Sequence, residues 1–384
     1  MGLKMRSWGL HETKILFVTK YLCMSSIDFS GPIGERYAGL YYSFMERFRF
    51  DYDFFWYTAD GETFQYQVES DRLRSMPLFT ISPSRFSLVR LLLYFCIGNY
   101  KSRKIIVVSY PNFPKSLLLA VLLFVLKPFR LAVIVDVQDL ALPRESPWTI
   151  SYLVWWMVNE LFYYHAYFIL NATECEKLYA RRARATIVIP MAAHHNIITP
   201  KPSAVTRPGL TLVYVGSVDQ RRGFPRLIEV VKNLRSEGFH VDLVINGDKP
   251  ENIDLGAYPW VRLYEKQALA SLAELLRSVD VGVIPYVDRD YWGLMSITKM
   301  ATYMAAGLPI LSLRLTETSN ILAKWDCGVS VDDWDSFAAA VKTFSQDKSW
   351  LERLGKNART AAVQEYNWTK QVERFAEFIG QLEN

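Results

Sequence analysis

The sequence is poor in residues that staple or metallate a chain. Its 384 residues include four cysteines, Cys23, Cys96, Cys175 and Cys327, far apart and without a C-x-x-C pair. That spacing argues against a disulfide framework or a cysteine zinc site and for a reducing compartment. The opening MGLKMRSWGLHETK lacks an apolar h-region, so no secretory signal is expected and the Asn171 and Asn367 sequons should be unused. No G-x-G-x-x-G follows the first apolar run, which counts against a NAD-dependent enzyme.

Acidic residues are missing from a whole window. Residues 72–135 contain ten basic residues and none acidic. Residues 1–200 hold 22 Lys and Arg against 16 Asp and Glu, and residues 201–384 hold 22 against 23, so the net charge of +5 arises in the first half. The basic window also carries LVRLLLYFCI and SLLLAVLLFVLKPFRLAVIV. Lys127, Pro128 and Arg130 interrupt the longer run, which therefore reads as a buried helix plus a strand, not a membrane span. Basic residues interleaved with apolar and aromatic ones suit a surface lying on an anionic bilayer; a core helix with a solvated basic rim is the plainer alternative. No recognition motif accompanies the charge, so no nucleic-acid partner is expected.

What the chain does have is length and alternation. A chain of 384 residues is too long for one ordinary core, and 51% hydrophobic content describes a globular protein. Apolar runs at Lys14–Lys20, Phe54–Thr58, Lys104–Tyr110, Leu131–Val135, Tyr167–Leu170 and Thr186–Pro190 predict strands, with helical stretches between several of them. Gly31 and Gly34 lie in a loop between the first strand and first helix, where a ligand can approach backbone amides. ITPKPSAVTRPGL reads as a linker. The pattern then restarts with strands at Leu212–Gly216, Val241–Asn246, Val261–Tyr264, Val281–Pro285 and Pro309–Leu313, and a helix over Pro225–Gly238.

The fold expected is α/β: two Rossmann-like doubly wound parallel-sheet domains facing a cleft. The divisions are residues 1–198 for the first domain, 199–209 for the linker and 210–366 for the second domain. A final helix, 367–384, should pack back on the first.

The densest stretch is VGVIPYVDRDYWGLMSITKMATYMAAGLPILSL, residues 281–313. It reads as strand, loop, helix, stop and strand, with Ser296 as N-cap, Ile297, Met300, Ala301 and Met304 on the buried face, and Gly307 as left-handed C-cap. Lys299, Thr302 and Tyr303 then face a helix N-terminus suited to an anion. Arg221 and Arg222, before Gly223 and the next helix, offer further cations near Gly216. A carboxylate at the carboxyl end of a strand can act as a base, which singles out Asp139, with Asp136 as runner-up or orienting group; the plainer role for Asp139 is an Asx-turn or helix cap. Asp288, on the loop after Val281–Pro285, is placed to touch a bound sugar. His194 and His195 adjoin the linker and are expected to be surface polar residues. Trp148, Trp155, Trp156 and the Phe-Tyr-Tyr at 162–164 suit sugar stacking or an interfacial anchor, against the plainer reading of a helix buried on the sheet.

The order of these segments resembles GT-B glycosyltransferases, nearest to family 4 and related nucleotide-sugar enzymes. The resemblance rests on YVGSVDQRRGFPRLIEVV, ITKMATYMAAGLPILSL, VDVQDL, IVIPMAAHHN, Asp326-Cys327-Gly328 and Tyr366-Asn367-Trp368. It implies a first domain that binds acceptor and a second that binds donor. It further implies transfer of a sugar from a UDP- or GDP-sugar to a hydroxyl of a glycan acceptor, lipid-linked, in cell-surface polysaccharide or glycolipid assembly. The donor site implied comprises Gly216, Arg221, Arg222, Ser296, Lys299, Thr302 and Asp288, with Gly31 and Gly34 as the acceptor or phosphate loop. Asp139 would be the base of an inverting reaction or would position the acceptor in a retaining one. No metal and no cofactor are expected, since Arg and Lys can neutralise the leaving diphosphate. A cytoplasmic protein on the inner face of the membrane is the expected setting.

The chain departs from the family pattern. Where family 4 carries two glutamates, the second on the ribose, Leu294 and Thr302 stand, and Ser217 stands where a second basic residue is usual. Two other readings remain open: a GT-B nucleotide-sugar epimerase, and a non-catalytic nucleotide-sugar or glycan-binding protein.

Overall fold

The structure, a computed structural model, describes residues 13–19, 36–48, 51–57, 78–81, 103–109, 131–137, 167–180, 183–201, 209–248, 254–265 and 267–383. Gly31, Gly34, Asp139, the aromatic cluster at 148–164 and most of the basic window lie outside them.

Two parallel sheets organise the chain. The first contains β1 (Thr13–Thr19), β2 (Asp51–Tyr57), β3 (Leu78–Ile81), β4 (Arg103–Ser109), β5 (Leu131–Val137), β6 (Tyr167–Leu170) and β7 (Ala185–Val188), in the order β3-β2-β1-β4-β5-β6-β7. The second contains β8 (Leu210–Val215), β9 (Val241–Asn246), β10 (Val261–Tyr264), β11 (Val281–Ile284), β12 (Ile310–Leu313) and β13 (Gly328–Val331), in the order β10-β9-β8-β11-β12-β13. Each order reverses beside its first strand, the topology of a doubly wound sheet. β3 and β13 were not expected from the sequence. Each is only four residues long, and their LFTI and GVSV runs resemble buried loop as much as strand.

The second sheet is apolar on both faces. Leu212, Val213, Tyr214, Leu243, Val244, Ile245, Val281 and Val283 are all buried, as parallel strands covered by helices must be. Among the covering helices are α3 (Phe224–Ser236), with Pro225 in its first turn, α6 (Thr298–Ala305) and α8 (Trp334–Gln346). The chain numbers α1 as Ser43–Arg47, after a π-turn over Tyr37–Tyr42, and α2 as Thr173–Tyr179. Leu269–Leu276 and Arg289–Trp292 are α4 and α5.

The last three helices are α7 (Thr316–Trp325), α9 (Lys348–Gln364) and α10 (Trp368–Glu383). Asn367 breaks α9 from α10. Its side-chain amide donates to the carbonyls of Ala362 and Val363, and its Oδ1 accepts from the Lys370 N–H at 2.9 Å. Helix α10 then lies on the first sheet's layer: Trp368, Val372 and Phe375 join Leu40, Tyr41 and Phe44 in one buried cluster. The Phe44 and Phe375 rings meet edge-on at 4.7 Å. Gly39 is required there, because a Cβ would stand 2.1 Å from the Trp368 ring.

Candidate functional site

In the second sheet the crevice falls between β8 and β11, where the chain order reverses. Their ladder is short, pairing only Leu212 with Val281 and Val213 with Gly282. Beyond that point Tyr303, from α6, stands between them. Its hydroxyl accepts from the Val215 N–H at 2.9 Å and faces the carbonyls of Val213 at 3.2 Å and Val283 at 3.4 Å. Gly282 makes room, since a Cβ there would lie 2.3 Å from the Tyr303 ring. The phenol supplies hydrogen bonds that a strand partner would otherwise supply to the Val215 N–H and the Val213 carbonyl.

Gly216 sits at the mouth of the fork with φ +124°. A side chain there would be strained and would crowd the Lys299 Nζ, 3.2 Å from the position of its Cβ. Lys299 is 7% exposed, and its Nζ has no hydrogen-bond partner. Its nitrogen lies 3.9 Å from the centre of the Tyr214 ring and 4.6 Å from that of Tyr286, so ring faces line it. Burial pushes its pKa well below the ordinary lysine value, and the Arg222 charge adds to that. Burial likewise pushes Tyr286 up to about 12, which keeps the phenol neutral.

Arg222 approaches from the turn after β8. Asp219 caps that turn, accepting from the Arg222 N–H at 2.9 Å, and Gly223 closes it at φ +70°. The guanidinium donates to the Ser217 carbonyl at 3.1 Å, lies 3.4 Å from the Asp219 carboxylate, and faces the Trp292 ring at 5.6 Å. Gly216, Arg222 and Lys299 are therefore brought together. Arg221 belongs to the same turn; its side chain is outside the described residues.

Other expected positions serve differently. Ser296 does not cap α6: Ile297 holds the cap position without a side-chain bond, and the Ser296 Oγ accepts from the Met191 N–H at 3.2 Å, joining the crossover segment to the second sheet's layer. Nor does α6 have a solvated polar face, because every residue from Lys299 to Ala305 is buried. Thr302 is 4% exposed and turns its hydroxyl to the Thr298 carbonyl of its own helix, 3.4 Å away. Asp288 caps α5 through the Tyr291 N–H. His194 is packed against Trp368, not displayed at the surface, and burial lowers its pKa.

Asp136 is the largest revision. Its carboxylate is fully buried and accepts from Arg36 Nη2 at 2.8 Å, Arg36 Nε at 3.0 Å and the Tyr41 hydroxyl at 2.6 Å. Arg36 also donates to the Ile189 carbonyl at 2.8 Å. A carboxylate so enclosed ties the end of β5 to the first helix and the crossover; it is not placed to take a proton from an acceptor. Sequence reasoning missed Arg36 because its partner is one hundred residues away. It also missed the Tyr303 wedge, although the i, i+4 spacing from Lys299 put both on one face.

Two doubly wound parallel sheets, each reversing beside its first strand, make up the GT-B fold. The comparisons agree. Residues 209–347 match the family model described as glycosyl transferases group 1. No curated protein sequence matches the chain significantly. Among solved structures the chain is similar to the sucrose-phosphate synthase of Thermosynechococcus elongatus, with TM-score 0.70 and 17% identity over 96% of this chain and 99% of that one. It is similar to Anabaena HepE in complex with UDP, with TM-score 0.69 and 14% identity over 96% and 100%. It is also similar to WaaG, a glycosyltransferase involved in lipopolysaccharide biosynthesis, with TM-score 0.63 and 13% identity over 95% and 99%. At these identities the likeness is one of fold. The chain has the GT-B fold, and residues 209–347, which contain most of the second sheet's layer, are the part that matches the group 1 model.

Among the described residues no helix is long and apolar enough to cross a membrane, and no group of His, Cys, Asp and Glu could hold a metal ion.

Proposed function

We propose that this protein transfers a sugar from a nucleoside diphosphate sugar to a hydroxyl of a glycan acceptor. The observation that carries the reading is the buried Lys299 side-chain nitrogen, without a hydrogen-bond partner, beside Gly216, with Arg222 across the same mouth; a bound diphosphate makes both side chains cations. Breaking the anomeric bond leaves extra negative charge on the diphosphate, and fixed cations in a water-poor crevice stabilise that charge most in the transition state. These two cations can do so without a metal ion. The bound UDP of HepE supports a nucleotide donor here by analogy of fold. The acceptor's proton falls to Asp139 in this proposal, with the Gly31–Gly34 loop beside the acceptor. A hexosyl donor, a lipid-linked acceptor, a role in surface polysaccharide assembly and a place on the inner membrane face complete it. The basic window 72–135 supports the anionic-surface contact.

Calorimetry with UDP, GDP, CMP and NAD, on the native protein and on Arg222→Ala and Lys299→Ala, tests the donor site. One nucleoside diphosphate should bind. Each variant should weaken it by about tenfold to a hundredfold, the worth of one charge-assisted hydrogen bond. Unchanged affinity in both variants would remove the diphosphate from this crevice. Binding without turnover on any acceptor, with or without liposomes, would favour the non-catalytic reading.

A further inference from the structure

We infer that a nucleoside diphosphate binds here together with a proton, which the Lys299 amine takes up from solvent. The inference rests on the donor site proposed above and adds the protonation state in which that site stands empty. The geometry is that of an amine lacking what an ammonium needs. Lys299 Nζ is buried and has no hydrogen-bond partner.

The titratable groups facing it come from four directions. Tyr214 stands on β8, Tyr286 after β11, and Asp219 with Arg222 on the turn after β8, while Tyr303 follows one turn further along its own helix. Three of these are neutral phenols, held so by burial. Asp219 is the only acid of the set, and it already lies against Arg222 and the N–H of that residue. Arg222 keeps its own proton and repels a second charge. Burial therefore leaves Lys299 well below its ordinary pKa in the empty site. A diphosphate at Gly216 supplies the missing counter-charge and acceptors, so the bound amine is charged.

The sign follows from linkage. The liganded state binds more protons, so affinity falls as pH rises above the empty-site value of Lys299 and levels off below it.

The test is calorimetric titration of UDP and GDP into the native protein at about pH 8, where the terminal phosphate is already ionised, in buffers of low and high ionisation enthalpy. The binding enthalpy should change with buffer enthalpy by a slope approaching one proton taken up. In Lys299→Arg, whose guanidinium cannot lose its proton, the slope should vanish while binding persists. Native binding with zero slope overturns the inference and leaves the donor site standing, as does a slope that survives in Lys299→Arg. Binding of neither nucleotide overturns the donor reading itself, and this inference with it.

Discussion

Tyr303→Phe isolates one hydroxyl at the fork between β8 and β11. The ring stays, so the contact with Gly282 and the packing of α6 are retained. What goes is the acceptor for the Val215 N–H at 2.9 Å and the donor toward Val213 O at 3.2 Å. Tyr303 is fully buried, so no water replaces the lost oxygen without further opening. One stranded backbone N–H costs about 1–3 kcal/mol, and the released carbonyl, which keeps a second lone pair, adds less. The expected loss is therefore about 2 kcal/mol in urea denaturation, with the midpoint lowered and the slope unchanged. A second readout is local. With its N–H unpaired, Val215 relaxes toward β11 and moves Gly216 against Lys299, so UDP affinity should fall although neither cation is touched. An unfolding free energy within about 0.5 kcal/mol of native would refute the wedge, since that is the spread of inert surface substitutions.

The buried pair in the first sheet predicts a larger effect: Arg36→Ala leaves Asp136 enclosed without its cation and should cost about 3–5 kcal/mol, read as a lowered thermal midpoint. Glu317, 4% exposed on α7, accepts from the Thr173 N–H at 3.1 Å and the Glu174 N–H at 3.0 Å, so it caps α2 from the other sheet's layer. Glu317→Ala should destabilise by about 2 kcal/mol, while Glu317→Gln, which keeps an acceptor, should cost less. Burial holds the Glu317 carboxyl above the ordinary glutamate value, so its contribution is greatest at acid pH and is lost as pH rises through that raised value. Denaturation from acid to neutral pH should therefore show the native protein losing stability relative to Glu317→Gln; a parallel pair of curves would contradict this.

Much of the architecture could be read from the chain because parallel strands buried on both faces must be apolar throughout. Val241–Asn246, Val261–Tyr264 and Tyr167–Leu170 begin and end where their apolar runs do. The left-handed Gly307 was similarly readable, since the helix before it must stop and Pro309 cannot continue it. The turn that carries Arg222 was readable in the same way, since it follows the carboxyl end of β8.

Tertiary structure alone decided what those residues do. Asp136 is a carboxylate at a strand end in either description; only the arrival of Arg36 and Tyr41 turns it into a sealed ion pair. Ser296 carries the residue type of a helix cap, yet Met191, from the crossover segment, claims its oxygen. Lys299 and Thr302 occur on a helix whose periodicity allows a wet face, and that face is dry because β8 and the Tyr286 segment close over it. Local sequence sets strand, helix and turn through backbone sterics and hydrophobic period. Burial, pairing and charge state depend on which distant segment covers a side chain, and that is settled only when the sheets have assembled.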